Sequence, residues 1–283
     1  MSVTPIASSQ GLVQSAIQLA SAKTGIDFNY LLGQAQVESG LNPGARAGTS
    51  SARGLYQFVE QSWLSVVKKH GAEHGLGWAA DAIQPAGNGR MAVTDTGTRR
   101  AILALRNDPQ FASLMAAEHA ADNKAGIEAS IGRPATGTDL YMAHFLGLGG
   151  ARKFLKALET NPDRAAAGMF PAAAGANRAI FYGANGQPRS VAEIYQRFAA
   201  KLDKGADAAG GTGLASSTLG PLDPNAEVIA GMGEDTGNAL AWARSTLDQL
   251  AGARSDRRGT AMLRPTPDTA RLAYLTLASL GGR

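Results

Sequence analysis

Ahead of residue 204, apolar residues recur at helical rather than strand spacing. Val13, Ala16, Ile17 and Ala20 fall at i, i+3, i+4 and i+7, and Phe28, Leu31, Leu32 and Ala35 keep the same helical interval, so two amphipathic helices are predicted to open the fold. Asp27 stands as N-cap of the second, and Ile26 and Leu31 are placed as a hydrophobic staple. Gly40 ends that helix and Asn42-Pro43 prevents its continuation. A third begins at Asp108-Pro109, a cap and then an N1 proline, and runs through Phe111, Leu114 and Met115. Further helices are predicted over 139–158, 190–202, about 227–250 and 268–280. No alternating strand pattern of any length occurs, and only 41–58 has room for a short hairpin. The expected class is mainly α, without internal repeats.

All eight lysines lie at or before Lys204, and a tract rich in Gly, Ala and Ser with two prolines comes next. That change of composition marks a linker. The organisation expected is a domain over 1–204, a linker over 205–226 and a helical C-terminal region over 227–283. Residues 1–204 carry 20 basic and 15 acidic side chains, against 7 and 8 beyond, so the basic character belongs to the first domain.

Composition then removes several classes of function. With 44% hydrophobic and 18% charged residues the chain is globular, and no apolar run approaches the roughly 20 residues that span a bilayer. Absence of cysteine excludes disulfides, thiolate catalysis and cysteine-held zinc. A net charge of +4 comes as short pairs such as Lys68-Lys69 and Arg99-Arg100 rather than a stripe, which argues against nucleic acid and suits an anionic polymer such as cell wall. The first residues lack the basic and apolar regions of a secretory signal: either the chain was trimmed or export uses another route. His70 and His74 form an i, i+4 pair of the kind that holds metal. With Gly71 and Gly75 breaking the helix and no acid at ligand spacing, the expectation is no metal and no cofactor.

Glu38 is the principal candidate for chemistry. At about 100° per residue it falls within about 20° of Leu31, at the edge of the stripe that packs inward. Burial disfavours the charged form and raises a carboxyl pKa, the tuning a proton donor needs near neutral pH. The alternative is a glutamate at a fraying helix C-terminus, where the macrodipole disfavours negative charge.

After Glu38 the chain enters a loop of small residues and hydroxyls, with Thr49, Ser50 and Ser51, and then Tyr56, Gln57 and Phe58 as a mixed aromatic and amide wall suited to a sugar. Glu38-Ser39, Asn42-Pro43, the small residues 45–52 and Gly54-Leu55-Tyr56-Gln57 together resemble the catalytic region of the soluble lytic transglycosylase (SLT domain) family, relatives of goose-type lysozyme. The resemblance covers roughly 10–200, with a long insertion between Glu60 and Asp108. It implies a mainly α, lysozyme-like fold with Glu38 as the catalytic acid/base. It also implies Ser51 (or Ser50) near the carboxylate and Gln57 and Tyr56 along the sugar groove. A second family element, Tyr-Asn-Ala-Gly, is matched to the segment from Tyr141 to Leu155. There His144 takes the tyrosine position and Phe145 replaces the asparagine. His144 is therefore a substrate-binding candidate, as is Tyr182 before its turn, although both residue types serve equally well in simple packing.

The resemblance implies non-hydrolytic cleavage of the bond between N-acetylmuramic acid and N-acetylglucosamine in peptidoglycan, giving 1,6-anhydro ends with a single glutamate. Hydrolysis by a muramidase would use a second carboxylate. Among Glu118, Glu60, Asp81 and Asp95, the first is expected instead to pair with an arginine. A third reading, from another class, is a wall-binding scaffold. The implied place of action is the bacterial periplasm or cell wall, with 227–283 recruiting a secretion, flagellar or phage assembly protein.

Overall fold

A computed structural model describes residues 9–217, except 49 and 88. Five of the described helices match those expected from the sequence: α1 (Ser9–Thr24), α2 (Phe28–Ser39), α6 (Pro109–Ile131), α7 (Gly137–Thr160) and, last in the described chain, α10 (Val191–Ala208). Between Glu60 and Asp108 lie α3 (Glu60–His70), a 3₁₀ turn (Gly71–His74), α4 (Gly77–Ala82), strands β1 (Gln84–Pro85) and β2 (Met91–Ala92), α5 (Thr96–Ala104) and a second 3₁₀ turn (Leu105–Asn107). After α7 come α8 (Pro171–Ala176), α9 (Arg178–Phe181) and α10 (Val191–Ala208).

The helix starts obey the local chemistry of their caps. Asp27 accepts from the Tyr30 amide at 2.8 Å, and Asp108 accepts from the amides of Gln110 and Phe111 ahead of Pro109. Thr136 and Ser190 each close a capping box, with Asp139 and Glu193 reaching back. Gly40 ends α2 in the left-handed region, its N–H bonded to the carbonyls of Ala35 and Gln36.

The hairpin expected within 41–58 is not formed. That loop has only isolated antiparallel bridges, Arg46 with Arg53 and Arg53 with Phe58. The two-stranded sheet instead pairs β1 with β2, Gln84 opposite Ala92 and Pro85 opposite Met91. At two residues per strand, there is too little sequence for an alternating pattern to show.

The long helix α6 packs against α1, α3 and α7, while α2 packs against α10. Trp63 of α3 is fully buried, and its indole N–H donates to the Ile102 carbonyl of α5 at 2.8 Å. The α2–α10 crossing depends on two glycines. A Cβ at Gly33 would lie 2.7 Å from the Leu202 carbonyl oxygen, and one at Gly205 would lie 2.9 Å from that of Gly33. The backbones approach to a distance that only a missing side chain permits.

The domain boundary expected at 204 falls inside α10, which continues to Ala208. The Gly- and Ala-rich residues after it pack onto the helices: Ala206, Ala209 and Ala215 are buried, the Thr138 amide donates to the Ser216 carbonyl at 3.0 Å, and Ser216 bonds Asp203. Small residues here serve close packing, a use that composition does not distinguish from flexibility. The rest of the expected linker and the helices expected over 227–283 lie outside the described residues. Among those described, no helix is long and apolar enough to cross a membrane.

Candidate active site

Two buried helices surface at the same place. In α2 the residues Tyr30 to Ala35 are all buried, and exposure begins only over the last turn, where Glu38 sits. In α7 the run Gly137 to Ala143 is buried and exposure begins at His144, shortly before a kink at Gly147. At this shared exit the Tyr141 hydroxyl donates to Glu38 Oε1 at 2.8 Å, and His144 Nε2 lies 3.5 Å from the same oxygen. The Glu38 side chain keeps 19% exposure and that of His144 24%, so a ligand can reach both. Both contacts fall on Oε1, leaving Oε2 engaged by neither.

Burial pushes the Glu38 carboxyl up. His144, by hydrogen bonding and by its charge when protonated, together with Tyr141 and Lys201, outweighs that effect and holds the carboxyl below its ordinary value. The sequence expectation of a raised carboxyl is corrected accordingly: burial acts in the expected direction, but the partners that reverse it come from α7 and α10. Tyr141 shifts the opposite way. Burial first, and then the adjacent Glu38, raise its hydroxyl pKa, which keeps it protonated as a donor.

The segment matched to the second family element meets Glu38 through a residue earlier than His144. The tyrosine that meets Glu38 is Tyr141, one helical turn before His144, so the segment reads Tyr141-Met142-Ala143-His144. Phe145 packs between Phe181 and Phe198, at centroid distances of 6.2 and 5.1 Å. Tyr141 stacks on His144 at 5.8 Å and meets Phe198 edge-on. The i, i+3 spacing of two polar aromatics on one helix is the signal that the sequence offers for this pair.

The other expected site residues are distributed differently. Tyr56 is buried rather than walling an open groove, although it borders a narrow cavity with Tyr30, Gln34, His119 and His144. Burial, and then His144, lower the pKa of His119, which favours its uncharged form beside Phe58. Gln57 adopts a positive φ of 48°, and its amide nitrogen donates to the carbonyls of Gly54 and Ala45 at 2.9 and 3.3 Å, stitching the loop closed. The Ser51 hydroxyl accepts from the Glu60 amide and that of Ser50 from the Ala52 amide, so both are taken up by the loop rather than by Glu38. It is Ser39 that ties α2 to this loop, donating to the Leu55 carbonyl at 2.8 Å. Tyr182 packs under the Arg178 guanidinium, 4.7 Å from the ring centre, in a turn bridged to Pro188.

A residue outside the expected set holds this loop in place. Arg106 is buried and donates through Nη1 to the carbonyls of Ser51 and Phe58, at 2.8 and 3.0 Å, and through Nε to that of Leu103. Gly54 passes directly against it: with φ at +79°, a Cβ there would lie 1.8 Å from the Arg106 carbonyl oxygen. The glycine of Gly-Leu-x-Gln is therefore required by backbone contact.

The candidate second carboxylates are engaged elsewhere. Glu60 pairs with Arg99, Asp95 caps α5 and Asp81 is exposed on α4. Glu118 meets His74 at 2.7 Å and His70 at 3.5 Å, not the arginine expected for it.

Residues 15–94 match the family model described as the transglycosylase SLT domain. The match takes in Glu38 and the loop to Phe58, and ends just after β2, before Tyr141 and His144. It also runs through α3 and α4, which lie in the segment expected to be an insertion. Residues 15–94 are thus similar to the transglycosylase SLT domain, a family that acts on peptidoglycan, and the described residues are mainly helical as that likeness implies.

Proposed function

We propose that this domain cleaves the β-1,4 bond between N-acetylmuramic acid and N-acetylglucosamine without water, using Glu38 as its only acid/base. The observation that carries this reading is the single carboxylate at the exit of α2, half-shielded and held by Tyr141 and His144, while the other acids considered are paired, capping or exposed elsewhere. Glycosidic hydrolysis needs a second carboxylate as nucleophile or base, but an internal nucleophile on the substrate does not.

Glu38 first needs a proton. A glycan laid over the exit strips away the remaining water. Desolvation favours the protonated, uncharged carboxyl, which prepares Glu38 to give a proton. Glu38 then protonates the bridging oxygen as the bond to C1 breaks. The muramic 6-hydroxyl closes onto C1 and returns its proton to Glu38. The Tyr141 hydrogen bond fixes Oε1, which aims Oε2 at the glycan and stabilises the carboxylate formed between the two transfers.

Such a substrate puts the site of action at the cell wall, and the residues from 227 on would recruit an assembly that has to open it. Digestion of purified sacculi in ¹⁸O-labelled water tests the chemistry. The reading predicts 1,6-anhydro ends without label, and reducing ends carrying ¹⁸O would overturn it in favour of a muramidase.

A further inference from the structure

Where the end of α3 meets the middle of α6, a second group of polar side chains is gathered with no part in the reaction above. His70 ends α3, Glu73 and His74 lie on the 3₁₀ turn after it, and Glu118 and Asp122 project from α6 one turn apart. The expectation that no acid stands within ligand reach of the histidines is corrected here: Glu73 approaches His70 from the turn, and α6 brings in Glu118, which no local spacing could show.

Contacts in this cluster decide the tautomer of each neutral imidazole. The Asp122 carboxylate, 2.6 Å from the Lys69 ammonium, lies 3.0 Å from His70 Nε2, and a carboxylate cannot donate, so Nε2 carries the hydrogen. By the same argument His74 Nε2 donates to Glu118 Oε1 at 2.7 Å. In neutral His70 the remaining nitrogen, Nδ1, is then a bare lone pair. It is buried and has no hydrogen-bond partner, yet it faces Glu118 Oε2 at 3.5 Å and Glu73 Oε1 at 3.9 Å. Three electron-rich atoms converge on one gap, all within 4.8 Å of one another.

We propose that His70 Nδ1, Glu118 and Glu73 hold one zinc-type divalent cation, with Asp122 and His74 orienting the first two ligands. Zinc bonds to imidazole and carboxylate are about 2.0–2.2 Å, which at tetrahedral angles separates neighbouring ligand atoms by about 3.4 Å. The observed 3.5 and 3.9 Å are close to that figure, and longer than an N–H···O bond. A ligating histidine whose other N–H is held by a carboxylate is the usual arrangement around zinc, and Asp122 supplies it. The imidazole also favours zinc over calcium, which takes more oxygen ligands. Glu73 is 66% exposed, which leaves the fourth position open to water. The ion would tie the end of α3 and its 3₁₀ turn to the middle of α6.

The test is calorimetric titration of zinc into chelator-treated, tag-free full-length protein at neutral pH, with calcium in parallel. One saturable zinc site is expected, accompanied by a rise in melting temperature, with at least tenfold weaker binding of calcium. Glu73→Gln changes a mostly exposed side chain and leaves the fold intact; it should weaken zinc at least tenfold, as should Glu118→Gln. Absence of a saturable site, equal affinity for calcium, or zinc affinity unchanged in Glu73→Gln would overturn the proposal. None of these outcomes bears on cleavage at Glu38.

Discussion

The Tyr141 hydroxyl donates to Glu38 Oε1 across 2.8 Å, joining the last turn of α2 to the point where α7 leaves the core. Neither residue could hold this geometry alone, because each is fixed by a helix buried before it surfaces. Rigid supports of this kind hold a catalytic group in place, as the proposed double use of Glu38 requires.

Tyr141→Phe keeps the ring packed on Phe198 and removes only the donor. A hydrogen bond to a charged group is worth about 1.5–3 kcal/mol. If that interaction positions Glu38 in the transition state, kcat on soluble glycan strands falls by roughly 10- to 100-fold with little change in KM. Melting temperature serves as the control and should move by only a few degrees.

His144→Gln removes the two largest influences that lower the Glu38 carboxyl, so burial prevails and its titration midpoint rises. In the wild type the sign is the reverse. A depressed folded pKa means that ionised Glu38 stabilises the protein above the ordinary carboxylate value of 4.5, and that this contribution is lost as pH falls through the folded value. Carboxyl ¹³C resonances, assigned by comparison with Glu38→Gln, should show the upward shift in His144→Gln. An unchanged midpoint would mean that the imidazole does not act on Glu38.

Gly54→Ala and Gly25→Ala separate backbone strain from collision. Both glycines have positive φ, but nothing lies within 4 Å of a Cβ at Gly25, whereas at Gly54 the Arg106 carbonyl oxygen would be 1.8 Å away. Gly25→Ala should cost about 1 kcal/mol, the usual strain of a left-handed alanine. Gly54→Ala should cost about 3 kcal/mol or more and displace the loop that follows Glu38. Denaturant titrations of the two variants check the difference.

Local encoding made part of the fold legible in the sequence. Asp27, Asp108 and Gly40 state their roles through cap chemistry, and the loop from Asn42 to Gln57 carries enough consecutive signals to imply its family. The hidden part arises between distant segments. The Gly- and Ala-rich residues after 204 read as a linker until Ala215 is seen buried against Gly137, and Glu118 offers no hint that two histidines from another part of the chain meet it. Tyr141 is not singled out because the motif is matched on His144, and only the distance to Glu38 brings out the residue one helical turn earlier on α7. Arg106 lies beyond local reasoning altogether, since its partners are carbonyls some fifty residues earlier.

The most direct test of the account is the rate at which Glu38→Gln releases fragments from purified sacculi, compared with wild type at equal concentration and equal thermal stability. General acid–base catalysis contributes roughly 10²- to 10⁴-fold. The account predicts a loss of that order, with 1,6-anhydro ends from the wild type only. Release by Glu38→Gln at the wild-type rate would contradict it, because the proton would then have to come from another group.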